Sequence, residues 1–465
     1  MTAMRMETDG LGTIEIAPDA VWGSQTQRAL ENFPITGVSI SHYPELIVAL
    51  AAVKKACALT NRDLGRLSAR KTEVIAKVCD EILDGHHHEH FVVDVMQGGA
   101  GTSTNMNANE VIANLGLRAL GADIGDYGQL HPNDDVNRSQ STNDVYPTAI
   151  RLAVLARINP LRDAMRTLSG AFHERAEIFD PVMKVGRTQL QDAVPMSLGA
   201  EFRGFGTTID EDCERLDDLS RLLMEVNLGG TAIGTGINAP ERFGETAIAH
   251  LCEITGQPLV PAADLIEASS DLGAFVMFSG TLKRIGIKLS KICNDIRLMS
   301  SGPRAGIGEI LLPPVQAGSS IMPGKVNPVI PEVVNQVCYQ AIGNDLIVTM
   351  AAEAGQLQLN AMEPVIIHKV LETMGSLTNA MTVLSERCVK DIVADEERCR
   401  ALLENSLVKV TELAPVIGYE AATKLAKYAQ INGLSLHNAV EPALSDDQAK
   451  VSLEHLTFGH TGGVA

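Results

Sequence analysis

Apolar positions along this chain recur at intervals of three and four far more often than at intervals of two. Leu282, Ile285, Leu289, Ile292, Ile296 and Met299 form such a series, with Lys283, Lys288, Lys291 and Asp295 between them. That is the seam of a helix packed lengthwise in a bundle. A second series, Val154, Ile158, Leu161, Met165, Leu168 and Phe172, contains Pro160, which predicts a kink or short break there. Further helices are predicted over 196–226, 331–352 and 363–389. A rod of thirty residues spans about 45 Å. Five such rods imply a long bundle with little room for a sheet, and β-branched alternation is indeed scarce. The Gly/Thr-rich stretch 228–236 joins two of them through tight turns. It holds no G-x-G-x-x-G, so a Rossmann fingerprint is absent.

The expected fold class is therefore all-α. Its boundaries fall where the helical pattern gives out, near residue 140, where Asn133-Asp134-Asp135 marks a loop, and near residue 394. This divides the chain into an N-terminal helical domain (1–140), a central five-helix bundle (141–394) and a small C-terminal helical domain (395–465). A chain of 465 residues exceeds one ordinary core, which fits several domains. Helices this long also carry more apolar stripe than one bundle buries, an indirect argument for assembly.

Composition narrows the function classes. With 45% hydrophobic and 20% charged residues the chain reads as globular. A formal net charge of -19 argues against a nucleic-acid backbone or an anionic membrane as partner. An anionic ligand must then be caught by local groups, against the long-range field. The eight cysteines are dispersed with no C-x-x-C pair. Cys293 and Cys338 interrupt helical apolar patterns, where small buried thiols usually sit, and a reducing compartment fits all eight. Residues 1–10 include Arg5, Glu7 and Asp9 and lack an apolar signal region, and no apolar run approaches membrane-spanning length. A soluble, cytoplasmic protein is expected.

The densest chemistry lies in Gly318-Ser319-Ser320-Ile321-Met322-Pro323-Gly324-Lys325-Val326-Asn327-Pro328. Two hydroxyls, an ammonium and a carboxamide in a Gly/Pro-bounded loop can grip a carboxylate and leave one Ser oxygen free to react. A phosphate loop is excluded, because Val326 follows the Lys where Ser or Thr should hold magnesium. Gly318, Pro323 and Gly324 are placed to hinge this loop as a lid. Other polar clusters precede predicted helices: Thr102-Ser103-Thr104-Asn105, Ser141-Thr142-Asn143-Asp144 before the helix of Pro147, and Thr188-Gln189 before a helix at Pro195. Each alone reads as an N-cap. Together, with hydroxyls to spare at helix N-termini, they suit carboxylate binding, and a dicarboxylate needs two such sites.

These segments resemble the signature motifs of the aspartase/fumarase superfamily, and they occur in the family's order. The resemblance begins at Gln25-Thr26-Gln27-Arg28-Ala29 and Glu31-Asn32-Phe33-Pro34-Ile35, then passes through Gln97-Gly98-Gly99-Ala100-Gly101-Thr102-Ser103-Thr104-Asn105-Met106-Asn107. It continues with His131-Pro132-Asn133-Asp134-Asp135-Val136-Asn137, Ser141-Thr142-Asn143-Asp144, Gly186-Arg187-Thr188-Gln189-Leu190-Gln191-Asp192 and the Ser319 loop, and loosens toward the C-terminus. It implies the same three-domain partition and a homotetramer with a twenty-helix core and shared active sites. Departures are modest: Trp22 where Tyr is common, Ala361 where Val is usual, and a divergent tail after Leu444.

Family members cleave a C–N or C–O bond β to an acidic carbon. Proton removal next to a carboxylate gives a dianionic aci-carboxylate, which demands preorganised donors in a dry site. By resemblance, Ser319 is the base. Thr102, Ser141, Thr142 and Ser320 are the donors around the β-carboxylate. Lys325, Asn327 and Thr188 hold the α-carboxylate, and Asn143 with Gln189 cradles an amine. No neighbouring His explains how Ser319 is activated, so backbone N–H groups of the loop and Lys325 are the expected help. Asp192 is expected to orient the Thr188 loop. Glu332 and Glu363 sit at helix starts, where the dipole favours a carboxylate. His131-Pro132-Asn133-Asp134 matches a secondary carboxylate site of fumarase relatives. The tract His86-His87-His88-Glu89-His90 is not H-E-x-x-H and reads as an exposed helix end, so no metal ligands are assigned. No organic cofactor is implied; magnesium activates some relatives and would prefer oxygen ligands to this tract.

Within the superfamily, Glu353-Ala354-Gly355-Gln356-Leu357-Gln358-Leu359-Asn360, Pro331-Glu332-Val333-Val334-Asn335-Gln336 and Thr142 resemble the aspartase side. Gln189 stands where fumarases, and some aspartases, carry His, and suits an amine better than water. The expected reaction is reversible deamination of L-aspartate to fumarate and ammonium. Fumarate hydration is the alternative, and a non-catalytic structural member, as among lens crystallins, a more distant one.

Overall fold

A computed structural model describes residues 4–458. The first three residues and the end of the divergent tail, 459–465, lie outside the described residues. The five long helices run Thr142–Phe179, Leu198–Ser220, Gly273–Met299, Val329–Glu353 and Glu363–Arg387. Sheets among the described residues are two-stranded only. The fold is all-α, and the whole Leu282-to-Met299 seam is buried.

Two sequence expectations need correction. The Thr142–Phe179 helix passes through Pro160 without a break. Pro160 and Ala156 both lie on the exposed face, so the carbonyl that loses its N–H partner can bond water instead. The helix expected over 196–226 ends at Ser220, and Pro195 lies in a strand before it, not in a helix. Strands Met183–Thr188 and Gln191–Ser197 form an antiparallel hairpin with a bulge at Gly186/Arg187, so Thr188-Gln189 marks a turn and caps no helix.

The chain divides into two compact units, and each long helix has residues in both. Unit one comprises Met1–Asp163, Asp212–Ile287 and Val337–Thr378. Here helix Pro44–Asp63, started by a Pro at its first turn, packs against Ala69–Leu83 and Phe243–Thr255. Its core stripe holds Ile47, Leu50, Ala51, Cys57 and Ala58, and with them Lys54, which is fully buried. Helix Thr102–Ala119 is buried from Thr104 to Leu117 and so must satisfy its polar side chains internally. Glu110 on it accepts from the N–H groups of Gly23, Gln25 and Thr26, capping helix Ser24–Asn32 from across the unit.

Unit two comprises Ala164–Glu211, Lys288–Gln336 and Asn379–Ala465. Its C-terminal helices close around Leu413, Leu425, Ala429, Leu436 and Val440. A second centre is ionic. Glu309 is fully buried, with Lys184 Nζ 2.7 Å and Arg187 2.8 Å from its carboxylate oxygens, and Glu201 2.5 Å from the same Lys. Burial alone would lower the Lys184 pKa, but Glu201 and Glu309 raise it, so the ammonium stays charged. This cluster ties the base of the 183–197 hairpin to the segment entering strand Ile310–Leu311.

Candidate active site

Each unit carries its own group of the site residues read from the sequence. In unit one the group forms at two helix starts. Gly99, Ala100 and Gly101 all have positive φ, and Gly101 leaves room for the Tyr146 ring, whose atoms would lie 2.5 Å from an added Cβ. That sharp entry opens helix Thr102–Ala119. Thr102 Oγ1 donates to Gly99 O at 2.6 Å, so its proton is engaged in the loop. Three residues on, Asn105 donates to Thr142 Oγ1 (3.1 Å) and Asn137 Oδ1 (3.2 Å), joining the two helix starts.

At the second start, Ser141 Oγ accepts from Asn143 N at 3.2 Å and caps the helix. Since Ser141 and Thr142 accept in these bonds, both keep a hydroxyl proton to donate. Asn143 gives one amide N–H to Ala232 O (2.8 Å), which orients its carbonyl oxygen as an acceptor. Asp144 is fully buried and fixes the Gly/Thr linker, accepting from Ser141 N (2.9 Å), Gly229 N (3.0 Å) and Thr231 N (3.0 Å). Burial raises its pKa, and those three N–H bonds oppose the rise.

Behind this group stands Lys54, which sequence reasoning missed. Its Nζ donates to Asn137 Oδ1 and Gln140 Oε1, both at 2.9 Å. Burial lowers its pKa to about 8, and Asp144 is among the groups that partly restore it. Its signal was available: Lys54 falls on the apolar stripe of its helix, where a charge needs partners.

In unit two the Ser319 loop is closed at its neck. Gly318 N donates to Lys325 O (2.9 Å), and Asn327 Nδ2 donates to Gly318 O (2.6 Å). A side chain at Gly318 would put Cβ 2.3 Å from Lys325 O, so only glycine fits. Inside the loop, Ser319 Oγ accepts from Ile321 N (3.2 Å) and Met322 N (3.1 Å). Two N–H dipoles aimed at this oxygen favour its negatively charged form, the state a serine base requires. Ser320 and Lys325 are exposed, and Lys325 makes no ion pair among the described residues. Lys325 and Asn327 line a cleft of about 530 Å³ with Arg297, Ser300 and Ser301. In the same unit, Thr188 and Gln189 are exposed at the hairpin turn. Both turn residues, Gln189 (φ 55) and Leu190 (φ 61), have left-handed backbones, which is costly for side chains of this kind. Asp192 pairs with Arg187 in the register of that hairpin, on the strand after the turn.

Other candidates resolve differently. His131 Nδ1 accepts from Asn133 N and Asp134 N (3.1 Å each), capping the 132–136 turn. Glu332 is half-buried near the start of its helix. Glu363 is the first residue of its helix, as expected, but it is also buried, and burial pushes its pKa up to about 8 although Arg151 opposes the rise. The His86–His90 tract is only partly an exposed helix end, because His87, His88 and His90 are half-buried. None of the eight cysteines is joined in a disulfide among the described residues, and Cys293 and Cys338 are buried. No helix among the described residues is long and apolar enough to cross a membrane.

A family model described as "Lyase" matches residues 12–343. The chain is 59% identical over 447 residues to an aspartate ammonia-lyase of Pseudomonas canavaninivorans, covering 96% of this chain and 94% of that one. Among solved structures, a fumarate lyase:delta crystallin from Brucella melitensis bound to cobalt superposes with TM-score 0.94 at 55% identity, over 98% of this chain and 99% of that one. A class II fumarase from Schistosoma mansoni keeps the fold (TM-score 0.92) at 32% identity, over 99% and 100% of the two chains. Identity falls from the ammonia-lyase to the fumarase while the fold persists, and on that gradient the chain belongs to the aspartase/fumarase superfamily of lyases, within its aspartate ammonia-lyase branch.

Proposed function

We propose that this chain catalyses the reversible deamination of L-aspartate to fumarate and ammonium, as a carbon–nitrogen lyase. The observation that carries this reading is full-length likeness to aspartate ammonia-lyases at 59% identity, against 32% to a class II fumarase. The site chemistry agrees. Asn143 gives one amide N–H to Ala232 O and keeps its carbonyl oxygen to accept from an ammonium, and residue 189 is a Gln, whose amide is no acid for a leaving hydroxyl.

In this reading Ser319, assisted by the N–H groups of Ile321 and Met322, removes the Cβ proton. The resulting aci-carboxylate is held by hydroxyl protons of Ser141, Thr142 and Ser320, with Thr102 joining them once its bond to Gly99 opens. The N-terminal dipole of the Thr142–Phe179 helix adds to that field. Lys325, Asn327 and Thr188 hold the α-carboxylate, and collapse of the intermediate expels ammonia toward Asn143 and Gln189. No organic cofactor enters the scheme; divalent-cation activation by Mg²⁺ is a property to assay.

The working form is a homotetramer, in which long helices from four copies pack together and active sites draw residues from more than one chain. What supports this is an unburied apolar stripe on the Val329–Glu353 helix: Tyr339, Ile342, Leu346, Ile347 and Met350 are 37–63% exposed. The three-domain partition at 140 and 394 and a cytoplasmic location belong to the same proposal. Ammonium and fumarate released from L-aspartate in equal amounts are the expected products; release of neither by the assembled protein overturns the activity.

A further inference from the structure

The His86–His90 tract holds none of the residues assigned to the lyase chemistry, and its conformation is specific. Helix Ala69–Leu83 ends there, the chain reverses through Gly85 (φ +92), and His87 takes a left-handed backbone (φ 65) before a single 3₁₀ turn, His88–His90. In a 3₁₀ turn, side chains three apart eclipse one another. His87 and His90 are accordingly stacked, with ring centroids 6.2 Å apart and planes 16° from parallel. Glu89 brings a carboxylate to the same side. One ligand atom from each of His87, Glu89 and His90 lies within 4.8 Å of the others.

A second carboxylate stands behind the group on the preceding helix, where Glu81 Oε2 lies 3.1 Å from His87 Nε2 and can orient that ring. The neighbours are not equivalent. His88 bonds Ile82 O through Nε2 at 2.9 Å and is thereby committed to backbone, and His86 is exposed. The turn itself is held from beneath. Phe91 is fully buried, and buried Asn107 donates to His90 O (3.1 Å) while accepting from Val92 N (2.9 Å).

We propose that His87, His90 and Glu89 form a binding site for one divalent transition-metal ion, with Glu81 orienting the His87 ring from outside the ligand set. Two imidazoles with a carboxylate suit Zn²⁺, Co²⁺ or Ni²⁺, whereas Mg²⁺ and Ca²⁺ prefer sites built wholly of oxygen. Tetrahedral ligands about 2.0–2.2 Å from a metal stand roughly 3.4 Å apart. The ligand atoms of His87, Glu89 and His90, now within 4.8 Å of one another, would close to that spacing by side-chain rotation. The bound ion would fix the His87–His90 turn.

The test titrates Co²⁺, then Zn²⁺ in competition, into the untagged full-length protein. Calorimetry and the visible ligand-field absorption of Co²⁺ are followed together. The expected result is one ion per chain, a tetrahedral-type cobalt spectrum displaced by Zn²⁺, and a melting temperature that rises with either metal. His87→Ala and His90→Ala should each weaken binding at least tenfold and Glu89→Gln by less, while His86→Ala leaves it unchanged. Melting temperatures without metal report whether each variant is folded, and His87→Gln serves if His87→Ala is not. Absence of stoichiometric binding, or binding that survives His87→Ala combined with His90→Ala, overturns the site.

Discussion

Ser319 shows how much a single oxygen depends on its surroundings. A serine hydroxyl is a weak base, and nothing titratable beside it in the sequence accounts for activation. The loop supplies two N–H groups instead. Ser319→Ala should lower kcat by about a hundred- to ten-thousand-fold, the usual worth of a positioned acid or base, with KM for aspartate little changed. A variant that keeps wild-type kcat would remove Ser319 from the mechanism. Glu363 makes a different point, because burial there outweighs the helix dipole. Its pKa is raised from 4.5 to about 8, so the folded protein keeps a proton that the unfolded chain has lost between those values. That contribution to stability is full below pH 4.5 and disappears as pH rises through about 8. Lys54 works in the opposite direction and higher up: with its pKa lowered from 10.5 to about 8, it favours folding as pH climbs between those values. Glu363→Gln should therefore gain stability relative to the wild type by roughly a few kcal/mol between about pH 5 and pH 8, read from denaturant midpoints. A stability difference that stays constant with pH would contradict the protonated state.

At the scale of elements, the long helices were legible because their apolar series persist for many turns and dominate any local breaker. Pro160 illustrates this: an exposed position lets water take the orphaned carbonyl, and the helix continues. The 183–197 hairpin was not legible. Its turn pair, Gln189-Leu190, lacks the Asn-Gly chemistry that announces a two-residue turn. The strands are held by the Glu309 cluster, whose members lie far apart in sequence. For the same reason the unit-one site was legible in its hydroxyls but not in Lys54, Asn137 and Gln140 behind them, which meet only through the fold. Leu190→Gly removes a left-handed strain and should stabilise the protein by about 1 kcal/mol, measurable as a higher denaturant midpoint. Unchanged or lower stability would show that Leu190 is held there by favourable contacts. Breaking the buried ionic centre with Glu309→Gln should cost roughly 3–5 kcal/mol, because Lys184 and Arg187 lose their shared counter-charge. A cost below about 1 kcal/mol would mean water already screens the cluster.

For the whole molecule, charge and exposed apolar surface set the terms. A net charge of -19 opposes the approach of a dicarboxylate, so capture rests on local donors: the hydroxyls at helix starts and Lys325. The exposed stripe around Leu346 and Met350 is the feature that a lone chain does not explain. Leu346→Glu should lower the assembled mass by light scattering and reduce activity in parallel if sites are shared between copies. Full activity in a dissociated variant would contradict shared sites. The central claim, that this lyase acts on a C–N bond, is tested most directly by following fumarate through its ultraviolet absorbance with L-aspartate and, separately, L-malate. Fumarate should form from L-aspartate and not above background from L-malate; fumarate from L-malate alone would make the chain a hydratase and overturn the ammonia-lyase assignment.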